Sequence, residues 1–426
     1  MHFHRNESST VDKYILDNGL TVVLQEIPTA VSASVGLCVK TGSQDEMPEC
    51  YGYAHFVEHM LFKGTKRFSA KELSRQIDRV GGQHNAATNR EYTIYYISLI
   101  AEHIDLALDI LSDTFYNSLF DTEDIEKEKE VILEEIKMYE DSADEHIHDV
   151  FMEAMYGGNS LGHYILGNAQ SIKSASKESL YNFYSQYYYP ENSVLVIVGK
   201  IDYDAVKNII LKYFITKKNL VKPIERLQKD NSRLFRKHID RDLEQIHFCL
   251  GFNGISRSDP DRWSLYILST ILGGSSSSRL FQSIRENEGL CYSIYSFHSS
   301  YSDTGIFGIY CGTSPDKFDK AFNSTLEECR KIVKDGVSEE EFQDAKTFLK
   351  GNLALSLESN DVRMSQIARD ELYYGRYFNF EEIINYIDCI QMKNLNDIIQ
   401  RVFKERAALV TIGKIPKDKQ QEIFVI

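Results

Sequence analysis

An internal repeat constrains the fold of this chain more than any other feature of its sequence. Both halves of the 426 residues predict strands, helices of which one ends at a pair of glycines, two further strands and then two helices in succession. Aligning Phe120–Ile125 with Val337–Phe342 sets equivalent residues 217 positions apart. This order of elements predicts an α+β fold of two homologous halves, each a mostly antiparallel sheet covered by helices.

The stretch that joins the halves differs in composition from both of them. Residues 217–236 are rich in charge, contain Pro223 and show no apolar periodicity, which is typical of a linker between domains. We therefore expect an N-terminal half over 1–216, which carries the candidate metal ligands described below, and a C-terminal half over 237–426.

The composition predicts a soluble cytoplasmic protein without nucleic-acid or membrane partners. Hydrophobic residues make up 42% of the sequence, and the net charge of −15 argues against nucleic acid, which favours a basic surface. The longest apolar run, Val194–Val198, is far shorter than the roughly 18 residues of a membrane span, and residues 1–10 lack the apolar core of a signal peptide. Seven scattered cysteines, never spaced as Cys-x-x-Cys, favour reduced thiols.

Residues 52–65 contain the pattern His-x-x-Glu-His, formed by His55, Glu58 and His59. On a helix the two histidines lie one turn apart on the same face, so both imidazoles can bind one ion. A catalytic zinc takes three protein ligands and keeps one position for water, from which Glu58 would remove a proton. The alternative is a chance match with core histidines, but two imidazoles and a carboxylate buried without partners would cost several kcal/mol.

The third zinc ligand has to come from another part of the chain. The predicted helix over 122–139 carries many glutamates, and Glu128 and Glu135 lie seven residues apart, near the edge of its apolar stripe. Glu135 is the candidate ligand and Glu128 the candidate partner behind it. The pattern alone leaves the other glutamates open, because a charged helix face is usually only solvated.

The second half keeps the repeat and lacks the metal chemistry. Its equivalent of the motif helix, Trp263–Ser269, contains neither histidine nor glutamate, and the repeat alignment places Ala345 and Asn352 opposite Glu128 and Glu135. One metal site per chain, in the first half, is the expectation that follows.

With these motifs, the chain resembles the pitrilysin-type zinc peptidases, or inverzincins, a family that includes mitochondrial processing peptidase and insulin-degrading enzyme. It is most similar to their single-chain bacterial relatives with two repeats. The similarity covers nearly the whole chain. It is carried by six stretches: Leu16–Glu26, Gly52–Thr65, Gly81–Tyr96, Glu126–Ile136, Tyr187–Gly199 and Gly273–Phe297.

The resemblance implies roles for particular residues. It makes Glu135 the third zinc ligand and gives Glu128, seven residues earlier, an assisting role in the site. Asn85 and Ala86 would lie on an edge strand that binds the peptide substrate as an added strand.

The second half would supply two further residues by the same resemblance. Arg285 and Tyr292 match an arginine and a tyrosine that the family uses to hold the substrate backbone and to stabilise the tetrahedral intermediate. From the residues alone, a surface salt bridge and a packed strand tyrosine would be the simpler interpretation.

The function implied is that of a zinc endopeptidase with one Zn²⁺ per chain. The halves would face each other as a clamshell, and two chains would enclose a chamber that admits unfolded peptides. Alternatives are a non-catalytic scaffold, since some relatives lose the metal site, and one subunit of a heterodimeric processing peptidase. Because this chain carries both the zinc motif and the Arg/Tyr pair, a homodimer is favoured.

Overall fold

The computed structural model describes residues 3–4, 11–157, 159–214, 236–404 and 407–415. Its strands are β1 (Phe3–His4), β2 (Val11–Ile15), β3 (Thr21–Glu26), β4 (Ser32–Val39), β5 (Gln83–Thr88), β6 (Thr93–Ile100), β7 (Ser193–Gly199), β8 (Arg236–Ile239), β9 (Ile246–Asn253), β10 (Cys291–Ser300), β11 (Gly305–Thr313) and β12 (Ala408–Ile412).

The α-helices make up most of the remaining regular structure. They are α1 (Tyr53–Leu61), α2 (Ala70–Asp78), α3 (Ile104–Asn117), α4 (Thr122–Asp141), α5 (Ala143–Tyr156), α6 (Ala169–Ser174), α7 (Lys177–Tyr187), α8 (Tyr203–Tyr213), α9 (Arg262–Gly273), α10 (Phe318–Asp335), α11 (Glu339–Ser356), α12 (Asn360–Tyr374), α13 (Phe380–Cys389) and α14 (Met392–Val402). Among the described helices, none combines the length and the apolar character needed to cross a membrane.

Packing groups these elements into two compact units, each built from separate stretches of chain. The first comprises the described parts of Met1–Lys137, Tyr164–Arg226 and Ser356–Tyr377, and the second those of Met138–His163, Leu227–Leu355 and Phe378–Ile426. Each unit therefore contains one helix from the other half of the chain: α12 belongs to the first unit and α5 to the second. We call these two the exchanged helices.

The division into halves over 1–216 and 237–426 follows the order of the chain and stays a prediction about homology. The grouping by packing differs from this division because the segment with α12 belongs to the first unit and the segment with α5 to the second. The predicted linker over 217–236 lies outside the described residues except for Arg236, which begins β8.

The first unit is built on a seven-stranded sheet in the order β1-β2-β3-β7-β4-β6-β5. Its pairs are antiparallel except β3 with β7. The turn Asp17-Asn18-Gly19, whose Asn-Gly pair is a typical hairpin signal, joins β2 to β3, and Gly19 adopts a φ of 91°, which glycine tolerates best. One face of the sheet packs on helices that include α1 and α3, while Met364 and Ile367 of α12 pack on the other.

The second unit has a five-stranded sheet in the order β10-β11-β9-β12-β8, in which only β12 and β8 run parallel. Helices α9, α10 and α14 cover one face, and α5 covers the other with Phe151 and Met155. Two mixed units with mostly antiparallel sheets confirm the predicted α+β class. The clamshell arrangement of the units stays a prediction.

Candidate metal centre

The helix that carries the motif begins at a glycine and is capped from a distance. Gly52 has a φ of 92° and offers no side chain, so the buried carboxylate of Glu46 accepts the N–H groups of Gly52 at 2.8 Å and of Ala54 at 2.7 Å. Because these N–H groups have no partner within the helix, the carboxylate replaces an ordinary capping side chain. Glu46 thus caps the first turn of α1.

His55 and His59 project from consecutive turns of α1 and bring their Nε2 atoms to 3.2 Å from each other. Glu135 on α4 places Oε2 at 3.8 Å from the Nε2 of His55 and at 3.7 Å from that of His59. One ligand atom of each residue lies within 4.8 Å of the others. The structure therefore brings together the three residues predicted to hold the metal.

The spacing of these atoms fits a zinc ion. Tetrahedral zinc with bonds of about 2.0–2.1 Å separates its ligand atoms by roughly 3.3–3.4 Å. The observed distances of 3.2, 3.7 and 3.8 Å need only small side-chain rotations to reach that value. Two imidazoles and one carboxylate are also a known ligand set of catalytic zinc.

The two histidines have different environments. Burial, together with the neighbouring His59, lowers the pKa of His55 to about 3, so this ring is a neutral ligand at any ordinary pH. Burial also acts to lower the pKa of His59, but the bond to Glu128 and the charges of Glu135 and Glu58 outweigh it and raise the pKa. In the absence of an ion, His59 therefore binds a proton more readily than His55 does.

Glu128, the candidate partner of the ligand Glu135, lies behind His59. Its carboxylate is buried, and its Oε2 lies 2.9 Å from the Nδ1 of His59, while Lys63 forms an ion pair with its Oε1. Burial opposes ionisation of Glu128, but the bonds from His59 and Lys63 lower its pKa. An ionised carboxylate can only accept, so Nδ1 carries the proton and the Nε2 lone pair is free for the metal.

Glu58 is turned toward the edge strand β5. Its Oε2 accepts a hydrogen bond from the hydroxyl of Thr88. Burial raises the pKa of Glu58, against the effect of the Thr88 bond. A carboxylate with a raised pKa accepts a proton from water more readily than an exposed one.

The predicted substrate residues lie at the end of the first sheet. Asn85 and Ala86 are in the middle of β5, which pairs with β6 on one side and is the last strand of the sheet among the described residues. Asn85 is exposed, while Ala86 is half-buried against the core. A free strand edge of this kind can accept an added strand.

Arg285 and Tyr292 are neighbours in the second unit. The guanidinium of Arg285 lies 5.2 Å from the ring centre of Tyr292 and 4.5 Å from that of Phe281. A register shift between Cys291 and Ser293 leaves the Tyr292 side chain 78% exposed. Their mutual contact is thus established, and their action on a substrate stays a prediction.

Three residues of the site escape sequence reasoning: Glu46, Lys63 and Thr88. Glu46 caps the motif helix, Lys63 pairs with Glu128 and Thr88 bonds to Glu58, and none of the three stands in a spacing that indicates its partner. The available signal for Lys63 is its position four residues after His59, just past the end of α1, which brings it toward the same neighbours.

Comparison with protein families agrees with this geometry. The family model described as insulinase (peptidase family M16) matches residues 21–169, and the model described as peptidase M16 inactive domain matches residues 174–349. The chain belongs to the M16 family of peptidases, which confirms the predicted pitrilysin-type family.

Bacterial relatives match over almost the full length of both chains. An uncharacterized zinc protease of Bacillus subtilis, YmxG, is 39% identical over 95% of this chain and 98% of its own. A protein of Streptomyces coelicolor, also named an uncharacterized zinc protease, is 34% identical over 96% of this chain and 91% of its own.

Solved structures show the same fold at low sequence identity. A peptidase M16 inactive domain from Pseudomonas fluorescens superposes with a TM-score of 0.89 at 19% identity, covering 95% of this chain and 98% of its own. A protease from Helicobacter pylori superposes with a TM-score of 0.86 at 22% identity, covering 95% and 99%.

Proposed function

We propose that this protein is a zinc-dependent endopeptidase that hydrolyses unfolded peptides or small polypeptides. The observation that carries the proposal is the convergence of the Nε2 atoms of His55 and His59 with Oε2 of Glu135, all within 4.8 Å. Glu58, one residue before His59, provides the base that hydrolysis requires. The names of the bacterial relatives as zinc proteases agree with this assignment.

The mechanism divides the work among residues of this chain. Bound zinc would lower the pKa of its water to about 7 and polarise the scissile carbonyl. Glu58 then takes the proton of the attacking water and delivers it to the leaving amine. Glu128 keeps His59 in the tautomer that binds the metal.

Substrate binding uses other parts of the chain. The substrate backbone pairs with β5 at Asn85 and Ala86, and Arg285 with Tyr292 stabilises the oxyanion of the tetrahedral intermediate. The exposure of Tyr292 and its contact with Arg285 are compatible with a pair that acts on a ligand.

We further propose a cytoplasmic homodimer that encloses the substrate in a chamber. Support comes from the family resemblance and from the presence of both the metal ligands and the Arg285–Tyr292 pair in one chain, so that no different subunit has to supply either. A chamber would select peptides by size and unfolded state rather than by strict sequence.

A non-catalytic scaffold is the second candidate. The description of the matching family model for residues 174–349 as an inactive domain favours it for the second half. The complete set of ligands and base in the first half weighs against it for the whole chain.

Cleavage of an unfolded, fluorescently labelled polypeptide tests the proposal. We expect chelator-sensitive cleavage that zinc restores, and we expect Glu58→Gln to retain zinc while its turnover falls by about 10²–10⁴-fold, the usual contribution of a general base. Glu134→Gln, an exposed neighbour of the ligand Glu135, is the matched control and should cleave normally. Cleavage that survives metal removal, or full turnover by Glu58→Gln, would contradict the assignment.

A further inference from the structure

Strand β5 has one face turned toward α1 and one turned to solvent. His84, Ala86 and Thr88 are half-buried, and the alternate residues 83, 85 and 87 are exposed. The ring of His84 lies 5.1 Å from that of Phe62, just after the end of α1. At the other end of the strand, Thr88 bonds to Glu58. Near both of its ends, strand β5 therefore contacts the motif helix or the residue that directly follows it.

The attachment at Thr88 is a hydrogen bond between two side chains. The Thr88 hydroxyl donates to Oε2 of Glu58. This bond restricts rotation of the carboxylate. A carboxylate has about four lone-pair sites, so Oε1 keeps the capacity to accept a proton from water.

We propose that Thr88 is a positioning residue that orients Glu58, and that through this bond the strand which docks the peptide also sets the place of the base which cleaves it. The inference rests on the proposed function. Thr88 lies outside the His-x-x-Glu-His motif, and its proposed role is to orient the glutamate of that motif.

The consequence follows from the geometry of strand pairing. A peptide paired with β5 takes its register from the backbone of that strand, and Thr88 ties the same backbone to Glu58. The distance from the docked peptide to the base is then fixed by a short chain of bonds. Loss of the hydroxyl frees the carboxylate to rotate without changing the edge on which the peptide binds, so the chemical step should suffer and binding should not.

Steady-state kinetics of Thr88→Val and Thr88→Ser provide the first test. Valine keeps the shape and removes the hydroxyl, whereas serine keeps the hydroxyl. We expect Thr88→Val to lower kcat by about 10–100-fold, since small misplacements of a catalytic group have effects of this size, with KM and zinc content unchanged. Thr88→Ser should restore most of kcat. Equal losses in both variants, an unchanged kcat in Thr88→Val, or a change in KM alone would overturn the inference.

Thr93→Val is the matched control. Thr93 is the partner of Thr88 in the β5–β6 register, it is fully buried, and its hydroxyl donates to the carbonyl of Thr41 at 2.9 Å. Removing this hydroxyl should lower the unfolding midpoint and leave kcat unchanged. A loss of kcat as large as that of Thr88→Val would make the effect a general one of strand stability.

A second measurement needs no turnover. Urea unfolding of Thr88→Val, Glu58→Ala and the double variant reports the coupling between the two side chains. We expect Thr88→Val to lower the unfolding midpoint when Glu58 is present and to change it little when Glu58 is absent. The same shift in both backgrounds would refute the bond.

The two sets of outcomes separate the inference from the proposed function. If the unaltered protein cleaves nothing with zinc bound, the endopeptidase assignment fails, while the unfolding cycle still decides whether Thr88 holds Glu58. If the unaltered protein cleaves and Glu58→Gln does not, normal turnover by Thr88→Val would defeat the role of Thr88 alone.

Discussion

Glu128 determines which nitrogen of His59 faces the metal site, and this gives a prediction about metal affinity. The carboxylate lies 2.9 Å from Nδ1 of His59 and is itself held by Lys63. Glu128→Ala should weaken zinc binding by about 10–100-fold, the usual effect of removing a partner of a metal-bound histidine. Competition with a chromophoric chelator measures the affinity directly, without reference to turnover.

Glu130→Ala is the control for this change. Glu130 lies on the same helix but is exposed, so its removal should leave the zinc affinity unchanged. Equal affinities of Glu128→Ala and the unaltered protein would show that His59 does not depend on Glu128.

At the residue scale, the sequence predicts ligands better than it predicts the partners of ligands. His55, Glu58 and His59 follow from one turn of helix geometry. Glu135 needs the family resemblance, because helical periodicity identifies a face of α4 and cannot choose among the glutamates on it. Thr88 could not be predicted, because its bond to Glu58 spans 30 residues and depends on how β5 lies against α1.

We expect a histidine on strand β10 to make the stability of the protein depend on pH. Burial, with a smaller effect of Arg257, lowers the pKa of His298 from 6.5 to about 4, and its ring lies 4.3 Å from that of Tyr266 on α9. The unfolded chain takes up a proton near pH 6.5, whereas folded His298 does so only near pH 4. The stability due to neutral His298 is therefore complete above pH 6.5 and is lost as the pH falls to 4.

His298→Gln should flatten the dependence of unfolding free energy on pH within this window. Each pKa unit corresponds to about 1.4 kcal/mol, so the window from pH 6.5 to pH 4 accounts for at most about 3–4 kcal/mol. Urea unfolding of both proteins at pH 7.5 and at pH 5 tests this. Parallel losses of stability in the two proteins would assign the acid sensitivity to other groups.

At the scale of single elements, the sequence predicts the start of a helix correctly where the residues that form this start bond to one another. The pattern Ser-x-x-Glu at Ser69 predicts a helix start, and helix α2 begins there, with hydrogen bonds exchanged between Ser69 and Glu72 in a capping box. The sequence of residues 280–285 predicts an ordinary α-helix, but the segment Phe281–Asn287 is π-helical. Nothing in its sequence signals the wider turn, which is a feature of tertiary context.

At the scale of the whole molecule, each sheet has a glycine where the exchanged helix lies close to it. A Cβ added to Gly251 on β9 would come within 2.1 Å of the Phe151 ring of α5, and one added to Gly36 on β4 would come within 2.1 Å of Met364 of α12. Phe151 is fully buried, so it cannot move aside without disturbing its neighbours.

Gly251→Ala should therefore destabilise the protein by about 1–3 kcal/mol, the usual cost of overpacking a core. Gly351→Ala is the control: an added Cβ has nothing within 4 Å there, and alanine in the middle of a helix should stabilise by about 0.5–1 kcal/mol. Thermal unfolding of the two variants gives the comparison. A Gly251→Ala variant as stable as Gly351→Ala would mean that α5 is not tightly packed on its sheet.

The repeat in the sequence predicts two similar units but does not indicate the exchange of helices. Periodicity shows that α5 and α12 each have an apolar face, and it contains no information on which sheet that face covers. Close packing at Gly36 and Gly251 matches each helix to the sheet that it covers. Glycine has no side chain, so a hydrophobic pattern in the sequence does not show these positions.

The exchange of α12 has a consequence for the newly made chain. The face of the first sheet formed by Val196, Val198 and their neighbours is complete once β7 has left the ribosome, yet the helix that covers it ends only at Tyr374. At usual rates of translation, roughly 10–30 s pass between the synthesis of β7 and that of the end of α12, and the apolar face is uncovered during this time. Nascent chains are therefore open to self-association for that interval, and a chaperone that shields this face would raise the yield of native protein.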